Sequence, residues 1–242
     1  MCGRVVASSA REYYGSAFDV TETVGDELPP SYNVAPQAFV YAIVDTETSR
    51  RLGVMQWGLV PSWAADPDSG PRPINARAET LLDKPQFAGA LERRRCVLPV
   101  DGFYEWEKLP DGRRQPYFIS ATAGGPLALA GLWDRWVAPD GDPLVTCTIV
   151  TTDANRPMSD LHDRMPAILD PAALDHLGQL FELPLVHDEI VLAEDALLED
   201  FQVRIVGHQP LELGAAEAFS QAGRHDDGAA SRHGCDVPAN QA

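Results

Sequence analysis

The feature that most narrows the fold lies between residues 96 and 151. Five strand-like apolar runs, at 96–100, 103–108, 116–120, 127–136 and 144–151, follow one another with little but glycines, prolines and an Asp111-Gly112 turn between them. Asp-Gly between apolar stretches is a hairpin signal, because such turns need positive φ and glycine adopts it freely. Two more runs, 38–45 and 52–57, are joined by a polar turn; a short strand is expected at 2–6 and a last one at 201–207. Helices are fewer: 9–18, with Ser8 or Ser9 as its cap, then 84–94, 171–181 and 194–200. Strands outnumber helices and do not alternate with them strictly. The expected class is therefore α+β, a mainly antiparallel β-sheet or barrel-like core with flanking helices.

Residues 58–75 are rich in Pro, Gly, Trp and Asp and read as a long loop, and loops of that length in a compact domain are usually functional. Beyond residue 222 bulky apolar residues almost vanish. One domain over 1–222 and a disordered polar tail over 223–242 are expected. No G-x-G-x-x-G, Walker A or H-E-x-x-H occurs, so nucleotide-binding and zinc-protease readings lack support. The cysteines Cys2, Cys96, Cys147 and Cys235 are widely spaced and form no C-x-x-C pair. Free thiols in a reducing cytoplasm are expected, with Cys96 and Cys147 in the core. No signal peptide or apolar run of membrane length is read. No metal, cofactor or membrane partner is expected, and the chain is expected to be a monomer.

The formal net charge is −17, which on its own argues against a nucleic-acid partner. The acid is uneven, however. Residues 1–165 hold 16 Lys/Arg and 22 Asp/Glu, a balance of −6, whereas 166–242 hold 3 and 14, a balance of −11. Only Lys84 and Lys108 are lysines; the remaining cations are arginines, which suit bidentate contact with phosphate or carboxylate. The run Arg93-Arg94-Arg95 reads as a solvated helix end rather than a phosphate path.

The chain opens Met1-Cys2-Gly3-Arg4. Methionine aminopeptidase removes a Met that precedes so small a residue, leaving a free α-amine and a thiol on one residue. The amine titrates near about 8 and the thiol near about 8.5, so both are partly nucleophilic at neutral pH. Such a 1,2-aminothiol has two chemistries. The thiolate can attack a carboxamide with the amine as base. Alternatively, the amine can condense with an aldehyde to an imine, which the thiol closes to a five-membered thiazolidine. A cysteine at this position can also be incidental.

Five further segments carry polar residues inside otherwise structural runs. They are Tyr32-Asn33-Val34-Ala35-Pro36, Trp57-Gly58-Leu59-Val60-Pro61-Ser62-Trp63, Asn75-Ala76-Arg77-Ala78-Glu79-Thr80, Asp101-Gly102-Phe103-Tyr104-Glu105-Trp106 and His162-Asp163-Arg164-Met165-Pro166. Together with the N-terminal segment, in this order, they resemble the SRAP family of SOS-response-associated peptidase-like proteins, from Cys2 to about Leu213.

The resemblance implies capture of abasic sites in single-stranded DNA through a thiazolidine on Cys2. It places Asn75 on the residue that holds the reacting amine and sugar, where an amide can donate and accept without changing charge. Glu105 falls on the family's catalytic carboxylate and His162 on the histidine that moves the proton opening the sugar ring, a task for a group titrating near neutrality. Arg4 and Arg77 fall on phosphate-contacting arginines and Thr151 on a backbone-contacting threonine. Pro36 and Trp63 fall in loops lining the nucleic-acid groove, where an unpaired base could stack on Trp63. Trp57 and Trp106 are read as core residues, Glu107 as a solvent-facing neighbour of Glu105, and His176, His187, His208, His225 and His233 as surface residues. One departure is His208 after Val206-Gly207, where the family usually has Asn.

Three alternatives use the same residues. A glutamine amidotransferase also starts Met-Cys-Gly but needs Arg-Gly-Pro-Asp and Gly-His-Asn-Gly segments that this sequence lacks. A peptidase would use the same Cys2. A non-catalytic reader of modified bases would leave Cys2, Glu105 and His162 without a joint purpose.

Overall fold

The hairpin-rich stretch closes on itself. A computed structural model describes residues 2–156, 158–169, 174 and, as backbone alone, 201–205. In chain order its strands are β1 (Val5–Ala7), β2 (Glu22–Thr23), β3 (Ser31–Val34), β4 (Phe39–Asp45), β5 (Arg50–Trp57), β6 (Asn75–Arg77), β7 (Arg95–Val100), β8 (Gly102–Lys108), β9 (Arg114–Ala121), β10 (Leu127–Val137), β11 (Pro143–Asp153), β12 (Arg164–Pro166) and β13 (Phe201–Ile205). The helices are α1 (Arg11–Ala17) and α2 (Pro85–Arg93), with 3₁₀ turns at Ala78–Thr80 and Met158–Asp160. The α+β class with a mainly antiparallel, barrel-like core is what the sequence led us to expect. The helices expected at 171–181 and 194–200 (Leu174 excepted), the boundary at 222, the tail and the five other histidines lie outside the described residues.

Antiparallel neighbours run β11-β10-β7-β4-β5, and a parallel pairing of Thr146–Cys147 with Gln56–Trp57 joins the two ends into a five-stranded barrel. Side chains of period two fill it: Val40 and Ala42, Met55 and Trp57, Cys96, Leu98 and Val100, Leu127 and Leu129, Cys147 and Ile149. Gly131 belongs to this inner set because there is no room for more. A Cβ there would strike the Leu98 side chain, with Cys96 Sγ at 2.9 Å and the Thr148 carbonyl at 3.0 Å.

The alternate residues face out and are covered. Tyr14 and Phe18 of the α1 segment pack on Tyr41, Ile43, Leu52 and Val97. Phe87, Ala90 and Leu91 of α2, at i, i+3 and i+4, pack with Leu132 and Val150. Arg94 and Arg95 are part of this docking and not a solvated helix end. Arg94 pairs with buried Asp134 at 3.1 Å, and Arg95 Nε donates to the Leu91 carbonyl. Only Arg93 matches the expectation, with its side chain 81% exposed.

A second sheet, in the order β13-β9-β8-β1-β3, stands at the barrel and holds the N-terminal segment. Val5 is paired to Val34 on one side and to Phe103 on the other. Ser8 and Ser9 do not cap α1, whose N-cap is Ala10 with no side-chain bond. Both serines instead donate backbone N–H and hydroxyl to the Asp101 carboxylate, at 2.7 to 3.0 Å. A carboxylate that collects four donors outcompetes a neutral local cap, and it ties the start of α1 to the β7–β8 corner.

Candidate active site at Cys2

β1 is flanked on both edges, by β3 and by β8, and this anchors the short segment 2–4 that leads into it. Cys2 is fully buried and belongs to the barrel-core cluster with Val5, Val34, Phe103 and Ile149. Burial, and after it the negative charge of Glu105, push the Cys2 thiol up from its ordinary 9.0 to about 12. Glu105 is itself only 3% exposed and takes the Trp106 N–H at 3.2 Å. Tyr104 N–H bonds the Arg4 carbonyl at 2.9 Å, which draws this part of β8 alongside the N-terminus.

Asn75 reaches the same point from the opposite side. β6 lies parallel to β11, with Asn75 opposite Ile149 and Arg77 opposite Thr151. That register carries Asn75 Nδ2 to 2.7 Å from the Cys2 carbonyl oxygen. Its Oδ1 is buried and has no hydrogen-bond partner. An unsatisfied buried acceptor costs about 1–3 kcal/mol, and such groups concentrate at functional sites. A donor on Cys2 or on a ligand would satisfy it.

His162 lies on the loop between β11 and β12. Its Nδ1 accepts the Arg164 N–H at 2.9 Å and lies 2.7 Å from Asp163 Oδ1. These contacts compete, since the first needs an unprotonated Nδ1 and the second a protonated one.

The cationic candidates differ. Arg77 is exposed at the end of β6, whereas Arg4 is half-buried, with Nη1 bonding the Gly3 carbonyl at 3.0 Å. Thr151 is fully buried, and its hydroxyl is turned to the Ala76 carbonyl at 3.5 Å, so in this structure it joins β11 to β6 and is not presented to solvent. Pro36 stands in the turn after β3.

The 58–75 loop is pinned along its length. Val60 N–H bonds Thr146, Ser62 N–H bonds Asp134, and Trp136 donates its indole N–H to the Ala64 carbonyl. Buried Trp57 donates to the Ile74 carbonyl at 2.8 Å. Trp63 is left 68% exposed beside a groove lined by Pro61, Pro67, Pro71 and Gln86. Trp106, expected in the core, is only half-buried and leans on Tyr104. Glu107 is no bland neighbour: it accepts the Tyr117 hydroxyl at 2.7 Å.

Glu79 and Arg164 lie within the segments 75–80 and 162–166, yet no role was expected of either. Arg164 is 6% exposed, and its guanidinium bonds both carboxylate oxygens of Glu79, at 2.7 and 3.0 Å. It also bonds Asp153 and the Thr151 carbonyl. Partners 85 residues apart give no local signal.

Cys2 is buried, its carbonyl is held by the Asn75 amide and its thiol lies in the field of buried Glu105, on a small closed barrel. The chain belongs to the SOS response associated peptidase (SRAP) family, which it matches over residues 1–179. Among its relatives, the abasic site processing protein YoqW of Bacillus subtilis is 44% identical over 170 residues, spanning 70% of this chain and 76% of YoqW. The mouse abasic site processing protein HMCES is 34% identical over 217 residues, spanning 70% of this chain and 62% of HMCES. A crystal structure of a Bacteroides thetaiotaomicron protein shares the fold with a TM-score of 0.72 at 23% identity, over 86% of this chain and 93% of that one.

Proposed function

We propose that this protein captures abasic sites in single-stranded DNA by forming a thiazolidine between Cys2, freed of Met1, and the ring-opened sugar aldehyde. The observation that carries the reading is the Asn75–Cys2 contact of 2.7 Å beside a buried Glu105. The names of the relatives, abasic site processing proteins, support the substrate class.

The closed sugar opens first, and His162 moves the proton between the ring oxygen and C1′ hydroxyl. The Cys2 amine then attacks the aldehyde carbon, with an N–H held by the unpartnered Asn75 Oδ1. Glu105 passes the proton that lets the carbinolamine lose water to an imine. The thiol adds last: its sulfur bonds the imine carbon, and its proton ends on nitrogen. One water leaves and no redox partner is needed. A thiol held neutral by burial favours this amine-first order and disfavours a thiolate-first peptidase reading. Arg4 and Arg77 would position phosphates, Trp63 would stack a base beside Pro36, and Thr151 would act from beneath through β6.

The test is a denaturing gel of the protein with a single strand carrying one abasic site. A band that survives heating is expected, and an intact strand should give none. Equal bands on both strands, or no band, would refute the reading.

A further inference from the structure

Three elements of the site meet at one side chain. β6 is three residues long, and among the described residues it pairs only with β11, through a parallel register of three positions. So short a parallel ladder holds a strand weakly. What fixes its far end is the turn Ala78–Thr80, where Glu79 grips the Arg164 guanidinium with both oxygens. The same guanidinium bonds the Thr151 carbonyl at 2.6 Å, at the β11 residue opposite Arg77. The arginine side chain is 7% exposed and the Glu79 side chain 46%, whereas Asp153, the other carboxylate on it, is 86% exposed and contributes less. Arg164 also touches His162, but through its backbone: its N–H takes Nδ1 as acceptor, which leaves the ring proton on Nε2. Asp163 Oδ1, at 2.7 Å, pulls toward the opposite tautomer.

We propose that Glu79 and Arg164 form a positioning clamp that sets Asn75 against Cys2 and holds His162 in its Nε2–H tautomer for capture. This role rests on the abasic-site reading. Neither residue touches the reacting atoms. The fork fixes where β6 ends and hence where Asn75 begins. The placement of the Arg164 backbone decides between the two contacts open to Nδ1. A planar fork suits this better than an ammonium, since it fixes orientation as well as distance.

The test compares Glu79→Ala and Glu79→Gln with wild type in three measurements: ring-nitrogen NMR of His162 at about pH 8, where a free imidazole is neutral; capture rate against DNA concentration; and melting temperature. Glu79→Ala should move His162 toward the Nδ1–H form and lower the saturating capture rate roughly tenfold or more, without raising the half-saturating DNA concentration. Glu79→Gln keeps an oxygen for one guanidinium N–H, and should recover to within about threefold of wild type. An unchanged tautomer in Glu79→Ala would overturn the clamp. So would a loss seen only as weaker DNA binding, or a Gln variant as slow as the Ala variant when both melt like wild type. If wild-type protein captures no abasic DNA, the functional reading fails by itself, and the tautomer measurement still decides the clamp.

Discussion

Cys2→Ala should abolish the heat-stable band with abasic DNA, while non-covalent affinity for the same strand stays within about twofold, because phosphate contacts supply most of it. The variant loses the sulfur that closes the ring but keeps an amine once Met1 is removed. Borohydride, which reduces an imine, should therefore restore a weaker band. That pattern separates the two atoms of the nucleophile. A heat-stable band without borohydride in Cys2→Ala would mean that sulfur is not the closing atom.

The second large effect concerns the thiol itself. With its ordinary value of 9.0, about a tenth of a thiol is ionised near pH 8; held at about 12, about one part in ten thousand is. Iodoacetamide should therefore label Cys2 in the folded protein at least about 10³-fold more slowly than in the urea-unfolded chain. The sign gives a pH signature. The rate in the unfolded chain levels off above about 9, whereas in the folded protein it keeps climbing about tenfold per unit toward 12. Site-resolved mass spectrometry reads this directly, since Cys96 and Cys147 are also buried and serve as internal controls. Equal labelling in the two states would show a reactive thiolate and favour thiolate-first chemistry.

The fold class was legible because hairpins are local. Asp111-Gly112 and the alternating runs lie where β7 to β11 form. Closure of the barrel was not, because it depends on a parallel pairing between β5 and β11, about 90 residues apart, which no turn announces. Nor were β3, β6 and β12, whose three or four residues are too few for a period to show. Candidate site residues could be named one by one, since each sits in a distinctive segment. Their meeting could not: Asn75 reaches Cys2 only because β6 docks on β11 while β1 is held between β3 and β8. The serine cap failed for the same reason, as Asp101 lies 92 residues from Ser9.

The charge of −17 also takes a different weight beside the structure. Several of the carboxylates are engaged within the fold: Glu79 on Arg164, Asp134 on Arg94 and Asp101 on two serines. Arg77 stays exposed at the end of β6.

The most direct test of the account is the mass of the crosslinked N-terminus. After capture, nuclease digestion and trypsin, the expected product is a peptide Cys2-Gly3-Arg4 that lacks Met1, carries the sugar remnant, and weighs one water less than the sum of peptide and remnant. An unmodified peptide that retains Met1, or a remnant attached to any other residue, would contradict it.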